Sequence, residues 1–129
     1  MALQTYRDLA VWQRAMDLVV EIYKVSKLWP KEELYGLTSQ IRRAATSVPS
    51  NIAEGYGRTH RKAYLNHLSI ARGSLLEAET QLQIAIRLEY LKREEALPAW
   101  NLMQETGRLL HGLTRSLSDK GQSDAPSEP

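Results

Sequence analysis

The residues best suited to chemistry in this chain are its cations. Between residues 40 and 73 stand Arg42, Arg43, Arg58, Arg61, Lys62 and Arg72 against a single acid, Glu54. Residues 1–39 carry five basic and five acidic residues, and residues 74–129 carry six basic and nine acidic, so a net charge of only +2 hides a positive middle. Guanidinium and ammonium groups attract phosphates whatever the base sequence, which makes this cluster, with Tyr56 and His60 nearby, a candidate surface for RNA or DNA. Several copies around a ring would strengthen it. The competing reading is that helical arginines solvate a surface or pair with acids of neighbouring subunits. The residues alone leave both open.

A second set, Gln40, Arg43, Ser47, Asn51, Glu54 and Arg58, recurs at steps of three and four residues and so shares one helix face. Gln40, Arg43, Ser47, Asn51 and Glu54 are the expected members of a hydrogen-bonded network that fixes register between helices or subunits. A serine, glutamate and arginine together could assist hydrolysis. However, no histidine stands beside Ser47 or Ser50 in sequence to activate either hydroxyl. There are no cysteines, which removes disulfides, thiolate zinc sites and cysteine nucleophiles together. His60 and His67 are two helical turns apart, too far for the usual paired ligation, and with His111 they read as solvated side chains. Gly55-Tyr56-Gly57 follows a helix rather than a strand and lacks the later glycine and lysine of a phosphate loop, so it reads as a helix terminator. Trp12, Trp29 and Trp100 read as core or interface anchors. No enzymatic activity, metal or cofactor is expected.

Four amphipathic helices must position these groups. The first is expected over 8–28, with Asp8 as N-cap and Trp29-Pro30 as stop. It carries two apolar stripes: Leu9, Trp12, Met16, Val19 and Tyr23, and Val11, Ala15, Leu18, Ile22, Val25 and Trp29. Together they exceed what one bundle core needs. Either the helix is unusually central, or the second stripe meets another subunit, with Val11, Leu18, Ile22, Val25 and Trp29 as the interface. The spacing predicts a second helix over 38–57, capped by Thr38, with Ile41, Ala44, Val48 and Ile52 inward. Pro49 should kink it, two shorter helices being the alternative, and a left-handed glycine should end it at Gly55-Tyr56-Gly57.

A third helix is predicted over 60–91. Its seam of Tyr64, Leu68, Ala71, Leu75, Ala78, Leu82 and Ala85 alternates large and small residues so that neighbours can approach. Gly73, costing about 1 kcal/mol relative to alanine, suggests close packing at its own position. Ile84, Ile86, Leu88 and Leu91 add apolar surface beyond one seam. The fourth helix is predicted over 94–117, with Glu94 and Glu95 at its positive end, Pro98 in the first turn, and Ala96, Ala99, Met103, Thr106, Leu110, Leu113 and Leu117 inward. Residues 118–129 read as a disordered polar tail. One domain over 1–117 follows, all-α, an up-down-up-down antiparallel four-helix bundle. A chain of 129 residues can form such a core without disulfide or metal. It shows no signal-peptide pattern and no apolar run long enough to span a membrane, so a cytoplasmic location is expected.

Three stretches carry a family resemblance: DLAVWQRAMDLVVEIY (Asp8–Tyr23), YGLTSQIRRAATSVPSNIAEGYGR (Tyr35–Arg58) and YLNHLSIARGSLLEAETQL (Tyr64–Leu82), followed by Tyr90-Leu91. Together they resemble the four-helix-bundle family of proteins encoded in 23S rRNA intervening sequences. Tyr6 stands where relatives usually have phenylalanine. The resemblance implies a ring-like homopentamer, and a family with no established enzymatic activity whose ribosomal-protein names rest on genomic location. A related bundle serves retroelements as an accessory that binds nucleic acid and a reverse transcriptase. The expectation is therefore a non-enzymatic oligomer that binds RNA or DNA through its basic middle. The alternative is a protein-interaction scaffold, binding an unidentified partner and no nucleic acid.

Overall fold

The computed structural model describes residues 4–124, with side chains as far as residue 119. Four helices, α1 (Ala10–Ser26), α2 (Leu37–Tyr56), α3 (Arg61–Arg87) and α4 (Arg93–Asp124), follow a 3₁₀ turn at Tyr6–Asp8, and there is no strand among the described residues. Each helix packs on its neighbours in the closed order α1–α2–α3–α4–α1, and diagonal pairs do not meet. Ser47 meets Ser74 and Asn51 meets His67 across α2 and α3, while Gln104 meets Glu79 and Gly107 faces Leu75 across α3 and α4. Residue numbers fall on one helix as they rise on its neighbour, so both pairs are antiparallel.

The core is built from the small–large alternation read in the sequence. Leu68, Ala71, Leu75, Ala78, Leu82 and Ala85 of α3 are all buried, facing Ile41, Ala44, Ala45, Val48 and Ile52 of α2. On α4 the buried positions are Ala96, Ala99, Met103, Thr106 and Leu110, with Leu113 and Leu117 packed half-buried against the cluster. On α1 the outcome reverses the expectation. Val11, Leu18 and Ile22 are 4%, 0% and 0% exposed within the protomer, Trp29 is buried and Val25 half-buried, so the proposed subunit interface is bundle core. Of the other stripe, Leu9 is buried and Trp12 and Val19 pack half-buried against the core, while Met16 and Tyr23 face out at 40% and 46% exposure, with Val20 beside them at 55%.

Several local signals resolve differently from expectation. Asp8 does not cap α1; its carboxylate accepts from the Gln4 and Thr5 amides and closes the preceding turn, while Leu9 is the N-cap. Those two amide donors hold the Asp8 carboxyl below its usual pKa. Thr38 is buried, and the first turn of α2 is instead capped from outside, by Glu33 Oε1 accepting from the Leu37 amide at 3.1 Å. Helix α2 runs unbroken through Pro49, so it does not split into two. It closes at Gly57 with φ −76°, not in a left-handed turn. The left-handed residue lies elsewhere, at Glu89 with φ 63°. There the Tyr90 amide donates to the Ala85 carbonyl and the Glu89 amide to Ile86, a Schellman closure that ends α3 at Arg87 rather than Leu91.

Gly73 sits in open space, so the close packing expected there is absent within the protomer. Close approach occurs instead at Gly55, where an added Cβ would lie 2.9 Å from both His67 Cβ and Tyr64 Cδ1. Helix α4 begins at Arg93, with Glu95 Oε1 accepting from the Lys92 amide at 2.7 Å, which places Pro98 one turn inside rather than in the first turn. It extends to Asp124, because no proline and no left-handed glycine stands between Leu117 and Asp124. The expected disorder from 118 is thus corrected for 118–124, and 125–129 lie outside the described residues. No helix among the described residues is long and apolar enough to cross a membrane.

Candidate nucleic-acid interface

The six basic residues that are close in sequence do not form one patch. Arg42 is half-buried in the α1–α2 groove, where its Nε donates to Ser26 Oγ at 2.9 Å and its guanidinium lies 4.6 Å from the Tyr23 ring centroid. It also donates to the Tyr23 carbonyl in the last turn of α1, where a positive charge complements the helix dipole. Arg42 is therefore a clasp between two helices. Arg43 is exposed on the α2–α3 side, in a shallow groove with Gln40, Glu77 and Gln81. Arg58 is exposed at the far end of that seam, roughly 22 Å along the axis at 1.5 Å per residue. Arg61 and Lys62 are exposed at the start of α3, and Arg72 is on the α3–α4 groove. The exposed cations form a broken line along α2 and the α3 N-terminus, with Arg72 on another side.

The polar line resolves into a connected seam. Asn51 Nδ2 donates to the Ser47 carbonyl at 2.9 Å and to Ser47 Oγ at 3.0 Å. Ser74 Oγ of α3 donates to Ser47 Oγ at 2.8 Å. His67 Nδ1 lies 3.1 Å from Asn51 Oδ1, and Arg58 Nε lies 3.3 Å from His67 Nε2. If Arg58 donates, Nε2 accepts, so the proton sits on Nδ1 and Asn51 Oδ1 receives it; each group then has a partner of opposite kind. Glu54 stands 3.8 Å from His67 Nδ1 and 4.0 Å from Arg58. Of the five expected members, Ser47, Asn51 and Glu54 belong to this seam. Gln40 and Arg43 line the groove beyond it with Gln81, whose buried Oε1 has no hydrogen-bond partner.

His67 and Ser74 were missed from sequence. His67 is no solvated histidine, since its side chain is only 15% exposed. The available signal was the seven-residue spacing of His67, Ser74 and Gln81, which puts three polar side chains on the α3 face turned toward α2. The seam carries no nucleophile–base pair, because the Asn51 amide separates the imidazole from the Ser47 hydroxyl. Among the described residues no group of three or more His, Cys, Asp or Glu could hold a metal ion. Near Arg58, Tyr56 and Tyr64 meet edge-on with centroids 6.2 Å apart, and burial, then the neighbouring Tyr56, pushes the Tyr64 phenol up in pKa.

Comparisons with known proteins fit this architecture. No curated protein matches the chain. A crystal structure from Bacteroides thetaiotaomicron, described as a protein with unknown function from the S23 ribosomal protein family, is 29% identical. It superposes with a TM-score of 0.73, covering 81% of this chain and 98% of its own. The family model described as 23S rRNA-intervening sequence protein matches residues 7–112, across all four helices, and the chain belongs to that family.

Proposed function

We propose that this protein is a cytoplasmic, non-enzymatic homo-oligomer, a pentameric ring of bundles, that binds RNA or DNA through phosphate contacts repeated from copy to copy. The observation that carries the assembly is the outward stripe of α1. Met16, Val20 and Tyr23, with Leu28 at 91% exposure just beyond the helix, leave apolar and amphipathic surface that one protomer does not cover. Arg43, Arg58 and Lys62 are three of the exposed cations of the central region. Three positive charges bind a phosphate backbone weakly, and five copies multiply them. A bend of α2 at Pro49 belongs to the same reading. The lost amide and the back-bonding of Thr46 and Ser50 hydroxyls to the Arg42 and Thr46 carbonyls both loosen the helix there.

The test has two parts. Absolute mass by light scattering should give a multiple of 14.7 kDa for the wild type and a smaller species for Val20→Asp/Tyr23→Asp. Gel shift with structured RNA at two salt concentrations should show binding that weakens with salt. Arg43→Ala/Arg58→Ala should flatten that dependence. A monomeric wild type removes the assembly, and retained, salt-independent binding removes the phosphate contacts. The alternative, a scaffold without nucleic-acid binding, is favoured by the engagement of Arg42 in holding α1 to α2 rather than facing solvent.

A further inference from the structure

A groove of about 750 Å³ runs between α3 and α4, away from the α2–α3 seam. Its floor is apolar: Leu68 and Leu75 of α3 and Met103 and Leu110 of α4 lie buried beneath it, and Leu65 and Leu76 of α3 present apolar surface to it. Its rim is cationic. Arg72 of α3 and Arg108 and His111 of α4 line it. The pairing of Gln104 with Glu79, and of Gly107 with Leu75, sets the register of the two helices and brings Arg72 level with Leu110 and His111. Both arginines are exposed, and neither has an ion-pair or hydrogen-bond partner among the described residues. Among the described residues lining the groove the acid is Glu79, which accepts from Gln104 at 3.2 Å at its far end.

Two guanidinium groups converge on one trough without a carboxylate between them. That is unfavourable for the protomer alone and favourable for an anionic visitor. The α4 wall holds a second oddity. Gly107 lies mid-helix, where glycine weakens a helix, yet a Cβ there would only touch Leu75 Cδ2 at an ordinary 3.6 Å. Nothing in the protomer requires the glycine, and its absent side chain leaves the trough open at its middle. The α3 lining from Leu65 to Glu79 spans roughly 21 Å, the length of about four turns of a docked helix.

We infer that the α3–α4 groove is a docking site for an acidic amphipathic helix of a partner protein, its apolar face on Leu65 and Leu76 above the buried floor and its carboxylates on Arg72 and Arg108. This goes beyond the phosphate-binding reading, because it uses a different face and a different partner chemistry. The probe is a fluorescein-labelled 16-residue helical peptide with leucines at i, i+3, i+4 and i+7 flanked by glutamates, read by anisotropy against the full-length protein. A second peptide has lysine in place of each glutamate.

The acidic peptide should bind at least tenfold more tightly than the basic one, and Arg72→Glu/Arg108→Glu should reverse that order. Gly107→Met should close the trough and weaken the acidic peptide at least tenfold while leaving or raising the melting temperature, which separates docking from folding. Equal binding of the two peptides, no binding, or an order unchanged by the charge reversal overturns the inference. So does a fall in oligomer mass on Gly107→Met, which would assign the groove to a second copy of the chain. Displacement of the peptide by structured RNA, with Gly107→Met weakening RNA equally, would assign it to nucleic acid.

Discussion

Truncating Asn51 to alanine is the sharpest test of the α2–α3 seam, because the side chain joins both helices. Its amide donates twice within α2, to the Ser47 carbonyl and Ser47 Oγ, and its Oδ1 meets His67 Nδ1 of α3. The two intrahelical bonds are half-buried and partly replaceable by water, so together they contribute about 1 kcal/mol. Loss of the third leaves an imidazole N–H that is only 15% exposed with no better acceptor than Glu54 at 3.8 Å, costing about 1–2 kcal/mol. Alanine's higher helix propensity returns roughly 0.6 kcal/mol. The net loss is about 2 kcal/mol, which for a chain of this size lowers Tm by roughly 6–10 °C.

A double-mutant cycle with His67→Ala isolates the interhelical part, and its coupling should be about 1 kcal/mol. Differential scanning calorimetry of the four proteins at neutral pH makes the measurement. A Tm change below about 1 °C for Asn51→Ala, or a coupling indistinguishable from zero, would refute the claim that this seam holds α2 against α3.

Three further outcomes follow from particular residues. Glu89→Gly should raise stability by about 1 kcal/mol in chemical denaturation, because glycine adopts the φ of 63° without the Cβ strain that exposed Glu89 bears. Gly55→Ala and Gly73→Ala should move in opposite directions. The first forces a Cβ to 2.9 Å from Tyr64 and His67 and should cost about 1–3 kcal/mol, while the second, in open space, should gain up to about 1 kcal/mol. Tyr90→Phe should lose stability in a pH-dependent way. The Tyr90 hydroxyl donates to Glu33 Oε2 at 2.7 Å and, ahead of the Leu37 amide, holds the Glu33 carboxyl below its ordinary pKa. A depressed carboxyl stabilises the fold above its unfolded pKa and stops doing so as pH falls through the folded one. The deficit of the variant should therefore be constant between pH 6 and 8 and shrink in acid. A deficit unchanged in acid would show that the hydrogen bond to the Glu33 carboxylate does not carry the effect.

The helices were legible because their apolar spacing is strong, and their ends were legible only where the stop lies in the residue itself. Trp29-Pro30 stops α1 near the expected place because proline acts on its immediate neighbour. The end of α3 was invisible because its left-handed residue is a glutamate, where sequence reading looks for glycine. Glu33 capping Leu37 was hidden for a related reason: the carboxylate reaches the amide from a separate turn, so it occupies no N-cap position. The polar seam was half legible. Its α2 side recurs at steps of three and four, but His67 and Ser74 gain meaning only once the antiparallel register sets them against Asn51 and Ser47. The basic cluster was legible as composition and not as surface. Residues 42 and 43 point about 100° apart around one helix, and the turn after α2 carries Arg61 and Lys62 onto another.

The two stripes of α1 show why surplus apolar surface is easier to detect than to place. Both stripes are apolar at helical spacing, so periodicity cannot rank them. Side-chain size can. The buried stripe contains Ala15 and ends at Ser26, whose hydroxyl donates to the Ile22 carbonyl and accepts from Arg42. Small residues there let α1 come close to its neighbours, and the aliphatic Val11, Leu18 and Ile22 fill the interior without a polar atom to satisfy. The outward members of the other stripe are Met16 and Tyr23, with Val20 beside them, while Leu9 is buried and Trp12 and Val19 pack half-buried against the core. A phenol needs a hydrogen-bond partner if fully buried, and methionine adapts to irregular surfaces, which suits Tyr23 and Met16 to an exposed face. The surplus inferred from counting apolar positions is therefore real on this helix. What carries it is the stripe with polar-tipped and flexible side chains.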